Sequence, residues 1–207
     1  AMIEVWEVRP PLSTAKPRSC DSALSAASVA PMAASRPSAA MSASMVEKSI
    51  DSSALSDYPR ELMEVICVDD GSTDGTWEHI QRAAARHPGL VQVFRHHRNR
   101  GKRHALATGF NQARGEILVT LDSDSIIAPD AARHLVAPFA DPRVGATTAR
   151  VRVYNKTENL LTRMLAVRYV MAFEFFRAST SVFKTVMCCS GVLPAYPRKN
   201  VPRSHVN

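Results

Sequence analysis

Met63-Glu64-Val65-Ile66-Cys67-Val68-Asp69-Asp70-Gly71-Ser72-Thr73-Asp74-Gly75-Thr76 is the stretch on which the fold turns. Its first six residues form a short apolar run rich in β-branched side chains, which favours a strand. The run stops at two aspartates and a Gly/Ser/Thr series, residues that supply turn and helix-capping chemistry. A strand that ends in such a turn and feeds a helix is half of a crossover unit. The pattern recurs downstream. Glu116-Ile117-Leu118-Val119-Thr120-Leu121 runs straight into Asp122-Ser123-Asp124, and Pro129 then opens a helix to about Phe139.

The residues between these strands complete the alternation. A helix capped by Asp74 or Thr73 spans about Gly75 to Arg86 and closes at His87-Pro88-Gly89. Leu90 to Phe94 reads as a strand, Lys102 to Ala113 as a helix closed by Arg114-Gly115, and Val144 to Val151 as a fourth strand. Upstream, Val46, Ile50 and Leu55 mark a short helix that ends before Tyr58-Pro59. Strands alternating with helices in this way predict an α/β fold with a mainly parallel sheet flanked by helices. Ligands of such sheets bind beyond the carboxyl ends of the strands. Both acidic clusters sit at those ends.

Asp69 and Asp70 can accept hydrogen bonds from a base or a ribose, and the small residues after them let a ligand approach the backbone. The bland alternative is a helix cap with its turn; a pair followed by this Gly/Ser/Thr run favours binding. Asp122 and Asp124 form a D-x-D, two carboxylates that repel each other unless a cation or hydrogen bonds offset the repulsion. Mg²⁺ or Mn²⁺ takes one or two carboxylates together with substrate phosphates, and could neutralise a diphosphate leaving group there. The basic run Arg95 to His104 has three readings: a nucleic-acid patch, a phosphate loop at a helix N-terminus with Gly101 and Lys102, or a solvated face. Without interleaved aromatics for base stacking the first is weak. Tyr154 to Ala178 reads as an amphipathic helix with Leu161, Leu165, Tyr169, Phe173 and Phe176 apolar; packing on the sheet is favoured over membrane contact.

Composition sets wider bounds. The 207 residues suit one domain, with 45% hydrophobic and 22% charged residues. A net charge of +7 suits nucleic acid, anionic lipid or a phosphorylated substrate without choosing among them. Cys20, Cys67, Cys188 and Cys189 form no C-x-x-C pair, which predicts a reduced compartment with neither zinc site nor disulfide framework. Arg163, Arg168 and Glu174 interrupt Leu160 to Phe176, the best candidate membrane span. Glu4, Glu7 and Arg9 argue against a signal peptide. Residues 1–44, rich in Ala, Ser and Pro, are expected to be disordered.

From Val46 to Tyr196 the chain resembles the family 2 glycosyltransferases of the GT-A fold. Within them it is most similar to the processive membrane synthases of hyaluronan and chitin oligosaccharides. Four segments carry the resemblance, in the family's order: Val68 to Thr76, Asn99 to Leu106, Leu121 to Ser125, and Cys188-Cys189-Ser190-Gly191 followed by Tyr196. The resemblance implies that Asp69 or Asp70 contacts the uridine, Lys102 lies near the diphosphate, Asp122 helps hold the nucleotide and Asp124 binds Mg²⁺ or Mn²⁺. It implies that Cys189, Ser190 and Gly191 line the acceptor side. The implied partners are a UDP-sugar donor, UDP-N-acetylglucosamine or a relative, and a saccharide acceptor, with inversion at the anomeric carbon. Nucleic acid is not an expected partner. The resemblance also implies a domain on the cytoplasmic side of a membrane, anchored by helices absent from this chain.

The departures from the family lie at the two ends. The Ala/Ser/Pro stretch occupies the place of the family's opening strand, and residues 197–207 form an irregular tail unlike the family. The family's catalytic acid follows the Cys-Ser-Gly segment by some tens of residues. The chain therefore reads as a GT-A domain over 45–196, incomplete at both ends, with its catalytic base expected beyond Asn207. As an enzyme domain it would transfer sugar to a growing saccharide; as a binding remnant it would hold UDP-sugar and metal without turnover. A basic nucleic-acid-binding protein is the more remote alternative.

Overall fold

The computed structural model describes residues 2–8, 28–31, 39–153, 159–175, 179 and 192–201, with side chains from 44 onward. The strands read from sequence form where apolar runs were expected. They are β3 (Met63–Asp69), β4 (Val91–Arg95) and β5 (Ile117–Asp122). The helices between them are α2 (Thr76–Arg86) and α3 (Lys102–Gln112). Before β3 lies α1 (Ala39–Ala54), and after β5 comes α4 (Ala131–Val136), prolonged by a 3-10 turn over Ala137–Ala140.

The main sheet has six strands in the order β4-β3-β1-β5-β9-β7, with β1 (Met2–Val8), β7 (Thr147–Thr148) and β9 (Pro194–Pro197). A smaller sheet joins β6 (Ser125–Ile127), β2 (Ser28–Pro31) and β8 (Arg150–Val151). Strands β3, β4, β5 and β7 run one way, as a parallel α/β fold requires, while β1 and β9 run against them. Only β3 and β4 are parallel neighbours within this sheet, because the antiparallel β1 and β9 are interleaved among the rest. The expected strand from Val144 to Val151 is divided between the two sheets.

Two buried clusters show why β3 and β5 read as apolar runs. Alternate residues such as Val65, Cys67, Val119 and Leu121 pack under α1, α2 and α4 with Ile50, Ile80 and Leu135. Ile66, Val68 and Leu118 face the other way and meet Ala105 of α3. A strand covered on both faces has no polar side to show. Helices α1 and α2 are further tied at the surface, where Arg86 pairs with Asp51 at 2.8 Å and Glu47 at 3.0 Å.

The structure differs from expectation at both ends. Disorder to Ser44 does not extend to β1, β2 or the start of α1. The average composition of that segment conceals Ile3-Glu4-Val5-Trp6-Glu7-Val8, a run rich in β-branched residues with one aromatic. β1 fills the slot between β3 and β5, antiparallel to both, with Val5 opposite Ile66 and Thr120. At the other end the expected tail from Pro197 begins inside the sheet, where Pro197 pairs with Ile117. Arg198 then donates from its backbone N–H to the carbonyl of Glu116 at 2.7 Å and from its guanidinium to that of Ala113. The domain thus continues to about Val201, and residues 202–207 lie outside the described residues.

The segment expected to be one amphipathic helix is α5 (Leu160–Tyr169) continued by a π-helix over Val170–Phe175. Asn159 caps it, accepting the N–H of Thr162 at 2.9 Å. Leu165 and Tyr169 are half-buried as expected, but Leu161 is turned outward. The side chain of Phe173 and all of Phe176 lie outside the described residues, as do residues 154–158. No helix among the described residues is long and apolar enough to cross a membrane.

The N-terminal strand gives a direct test. Proline in a central strand removes a ladder hydrogen bond and costs on the order of 3 kcal/mol or more. Val5→Pro should therefore lower the thermal midpoint of the full chain by many degrees. An unchanged melting curve would show that Met2–Val8 contributes nothing to the sheet.

Candidate active site

Each acidic cluster stands where a buried strand gives out. At the end of β3, Gly71 turns the chain with φ 71°. No side chain fits there, since a Cβ on Gly71 would lie 2.6 Å from the carbonyl carbon of Arg98. The backbone of residues 98 and 99 is laid directly on the turn.

Asp69 and Asp70 have different partners in consequence of strand geometry, which sends successive side chains to opposite faces. Asp70 is fully buried against the loop before α3. Its carboxylate accepts the N–H of Arg100 at 3.0 Å and of Gly101 at 2.7 Å, and the Nδ1–H of His96 at 2.8 Å. The other ring nitrogen of His96 lies 2.9 Å from the Thr108 hydroxyl, so the imidazole links the β3 turn to α3. Burial alone would raise the pKa of Asp70. The N–H of Arg100, the His96 side chain and the N–H of Gly101 together outweigh it and hold the carboxyl below its ordinary value.

Asp69 is equally buried but incompletely satisfied. Its Oδ1 accepts the N–H of Ser72 at 3.1 Å. Its Oδ2 lies 3.3 Å from Nε of Arg95, near enough for an ion pair but not aligned as a hydrogen bond. Among the described residues, Oδ2 has no hydrogen-bond donor. A buried acceptor left so is costly, and a ligand N–H or O–H would complete it. Arg95 itself lies over the ring of Trp77, 5.3 Å from its centre, and donates to the Ser72 carbonyl at 3.1 Å.

At the end of β5, Lys102 reaches from the first turn of α3 and ion-pairs with Oδ1 of Asp122. Asp124 reaches the surface. Protein atoms nevertheless crowd its carboxyl, and this desolvation, followed by the charge of Asp122, pushes its pKa above the ordinary value. A cation placed against Asp124 would relieve both effects. The donor set fits a hard divalent ion that draws its remaining ligands from phosphates and water. No group of three or more metal-ligating side chains occurs among the described residues, so the protein here offers a partial cradle only.

The two strand ends lie on one edge of the sheet. Met2 of β1 is opposite Asp69, and Ile3 is opposite Asp122. With β1 between them, β3 and β5 are about 10 Å apart, two strand spacings. Asp69, Lys102, Asp122 and Asp124 thus lie at one end of the sheet, where the register turns the side chain of Asp69 to the α2 face with Cys67 and that of Asp122 to the α3 face with Leu118, and Asp70 lies beneath its loop. Cys189, Ser190 and Gly191 lie outside the described residues, as does Glu158; so does the side chain of Glu174. Sequence reasoning missed His96 and Trp77. The parallel register that sets Asp69 opposite Arg95 is the signal that could have found this cluster, because it brings residues just past β4 beside those just past β3. The basic stretch is divided by the fold: Arg95 and His96 serve the two buried aspartates, Lys102 serves Asp122, and Arg98 and Arg103 are exposed.

The family model for glycosyl transferase family 2 matches residues 40–202. The chain belongs to that family. It is 36% identical over 146 residues to the hyaluronan synthase of Streptococcus pyogenes, covering 69% of this chain and 34% of that protein. It is 37% identical over 145 residues to an N-acetylglucosaminyltransferase of Rhizobium meliloti, covering 69% of this chain and 33% of the relative. Among solved structures it resembles the mannosyltransferase PcManGT of Pyrobaculum calidifontis in complex with GDP-Man and Mn²⁺. That match has a TM-score of 0.59 and 32% identity, over 76% of this chain and 41% of the other. The GT-A fold expected from sequence is thereby shown. The chain spans about a third of the length of the relatives it matches in sequence.

The partners of Asp70 predict its effect on stability. Asp70→Ala should cost about 2–4 kcal/mol, because it strands two backbone donors and an imidazole. Since the folded pKa is depressed, the stabilisation is present above the ordinary value of 3.8 and is lost as pH falls below it. Urea titrations of parent and variant should therefore converge as pH falls through that range. A constant difference down to strongly acid pH would contradict the ionised anchor.

Proposed function

We propose that this chain is the donor-binding part of a glycosyltransferase that moves a sugar from a UDP-sugar to a growing saccharide. The observation that carries the proposal is the buried Oδ2 of Asp69, without a donor among the described residues, at the same end of the sheet as Lys102, Asp122 and Asp124. The end of β3 offers an acceptor for the N–H of a base, with Arg95 and Trp77 beside it. The end of β5 offers a cation, Lys102, and two carboxylates, Asp122 and Asp124, groups that a metal and its diphosphate could use. Asp70, cast by resemblance as a uridine contact, is better read as the anchor of the loop that delivers Lys102. Uridine recognition then falls to Asp69.

Asp122 and Asp124 would hold Mg²⁺ or Mn²⁺ with the donor's phosphates, and the metal would supply charge neutralisation for the departing diphosphate. Lys102 would exchange its pairing with Asp122 for the phosphates as the donor enters. UDP-N-acetylglucosamine is the favoured donor, given the named activity of the rhizobial relative. Cys189, Ser190 and Gly191 would face the acceptor. A membrane-associated, cytoplasm-facing placement accords with the resemblance to membrane synthases. Inverting transfer also requires a base at the acceptor hydroxyl. On this reading the carboxylates at this end of the sheet are committed to nucleotide, metal and loop, so we infer that these 207 residues alone bind donor without transferring sugar.

Isothermal titration of UDP and UDP-N-acetylglucosamine, with and without Mn²⁺, tests the site. The parent should bind more tightly with Mn²⁺, and Asp124→Asn should lose on the order of 10–100-fold of that gain. Because its ionised carboxyl is destabilised in the fold, the same variant should keep or raise the metal-free thermal midpoint at neutral pH. Equal Mn²⁺ enhancement in both proteins would move the metal elsewhere. Radiolabelled sugar incorporation by the parent chain would show that a base lies within it.

A further inference from the structure

The first turn of α3 is held from behind. Gly101 gives its N–H to the buried carboxylate of Asp70 at 2.7 Å, and the next residue is Lys102. The ammonium of Lys102 pairs with Oδ1 of Asp122, whose side chain the register turns to the face that α3 covers. Lys102 is therefore fixed at its root and free at its tip. Its side chain is 51% exposed and that of Asp122 32%. An exposed pair of this kind contributes little to stability and is readily exchanged for another partner.

The same cation acts on both carboxylates of the D-x-D. It pairs with Asp122 directly, and at Asp124 its charge opposes that of Asp122. That is the electrostatic task a divalent metal would perform there. A metal arriving without a nucleotide finds one of its two carboxylates already neutralised and a like charge beside it. Among the described residues, no group of three or more metal-ligating side chains makes up the difference. A diphosphate changes the balance. It carries more negative charge than one carboxylate and can draw Lys102 off Asp122. It also brings the oxygens with which hard divalent ions complete their coordination.

We infer that Lys102 is a tethered stand-in for the metal, holding Asp122 until a diphosphate becomes its partner, so that metal and nucleotide load the site together rather than singly. The inference rests on the donor reading above and adds how the two ligands of that site are coupled. Lys102 has two opposed parts on this account. It competes with the metal before a nucleotide binds, and it supports the nucleotide afterwards. Neutralising it tightens metal binding measured alone and weakens UDP binding measured alone. A lysine that only attracted phosphate would show the second effect without the first.

Two measurements on the full 207-residue chain test this. One is Mn²⁺ binding without nucleotide, read from the free-ion signal in electron paramagnetic resonance. The other is calorimetric titration of UDP with and without Mn²⁺. Lys102→Met keeps the apolar stem and removes the charge. It should tighten Mn²⁺ alone by about three- to tenfold and weaken UDP alone by a similar factor. The Mn²⁺ enhancement of UDP binding should shrink with it, because coupling between two ligands is reciprocal. Lys102→Gln should behave alike, with circular dichroism unchanged in both. Arg103→Met removes the neighbouring exposed charge and should alter Mn²⁺ binding by less than about twofold. In an Asp122→Asn background the Lys102→Met change should lose most of its effect, since the pair is already broken. Mn²⁺ binding that Lys102→Met leaves unchanged or weakens would overturn the inference. So would an equal gain in Arg103→Met, which would make the effect one of net charge, or an undiminished gain in the Asp122→Asn background. UDP that binds neither parent nor variant would refute the donor reading, and the Mn²⁺ comparison would still decide whether Lys102 guards Asp122.

Discussion

The carboxylate of Asp70 is the constraint on which the site depends. It is a full charge taken out of water, and such a charge persists only when the protein surrounds it with donors. The donors are supplied by one loop: the N–H groups of Arg100 and Gly101, with His96 at its base. Forming them fixes the path of residues 96–101 over Gly71. That path decides where α3 begins, and Lys102 in its first turn meets Asp122 as a result. A single buried charge thus connects two strand ends that are not neighbours in the sheet.

The two aspartates of β3 show how adjacent residues of one type divide between structure and chemistry. Asp70 has its hydrogen bonds complete and is held ionised. Asp69 retains a buried oxygen without a donor among the described residues. A site that binds from solution must leave some polar group unmatched until the ligand arrives, and the stability lost there is offset by the packing beneath. The same division holds at β5, where Asp122 has Lys102 as its partner while the carboxyl of Asp124 is disfavoured in its charged form.

Much of this was legible in the residues. Apolar runs ending in Asp69-Asp70 and Asp122-Ser123-Asp124 located the strands and placed both clusters at the same end of the sheet, because burial on two faces and the turn chemistry after it leave few alternatives. The roles of Asp69 and Asp70 were not legible, since which of two consecutive side chains faces a loop is set by packing thirty residues away. His96 was hidden inside a basic run whose charge suggested one common purpose. Met2–Val8 was masked by the Ala/Ser/Pro composition around it, and strand pairing depends on a few residues rather than on a segment average. The outward turn of Leu161 escaped because hydrophobic periodicity does not reveal which side of a helix its own domain covers.

The antiparallel seating of β1 has a consequence for how the molecule is made. Met2–Val8 is synthesised before either of its partners, one some sixty residues later and the other beyond residue 116. Chains fold broadly in the order they are synthesised, and here that order opposes the order of assembly. Until Ile117–Asp122 has emerged, the strand can pair on one side at most and presents an open edge of the kind that recruits other chains. Closing the middle of the sheet is a long-range step of high contact order. The vulnerable interval in the life of this protein is therefore the time between the synthesis of Met2–Val8 and that of Ile117–Asp122.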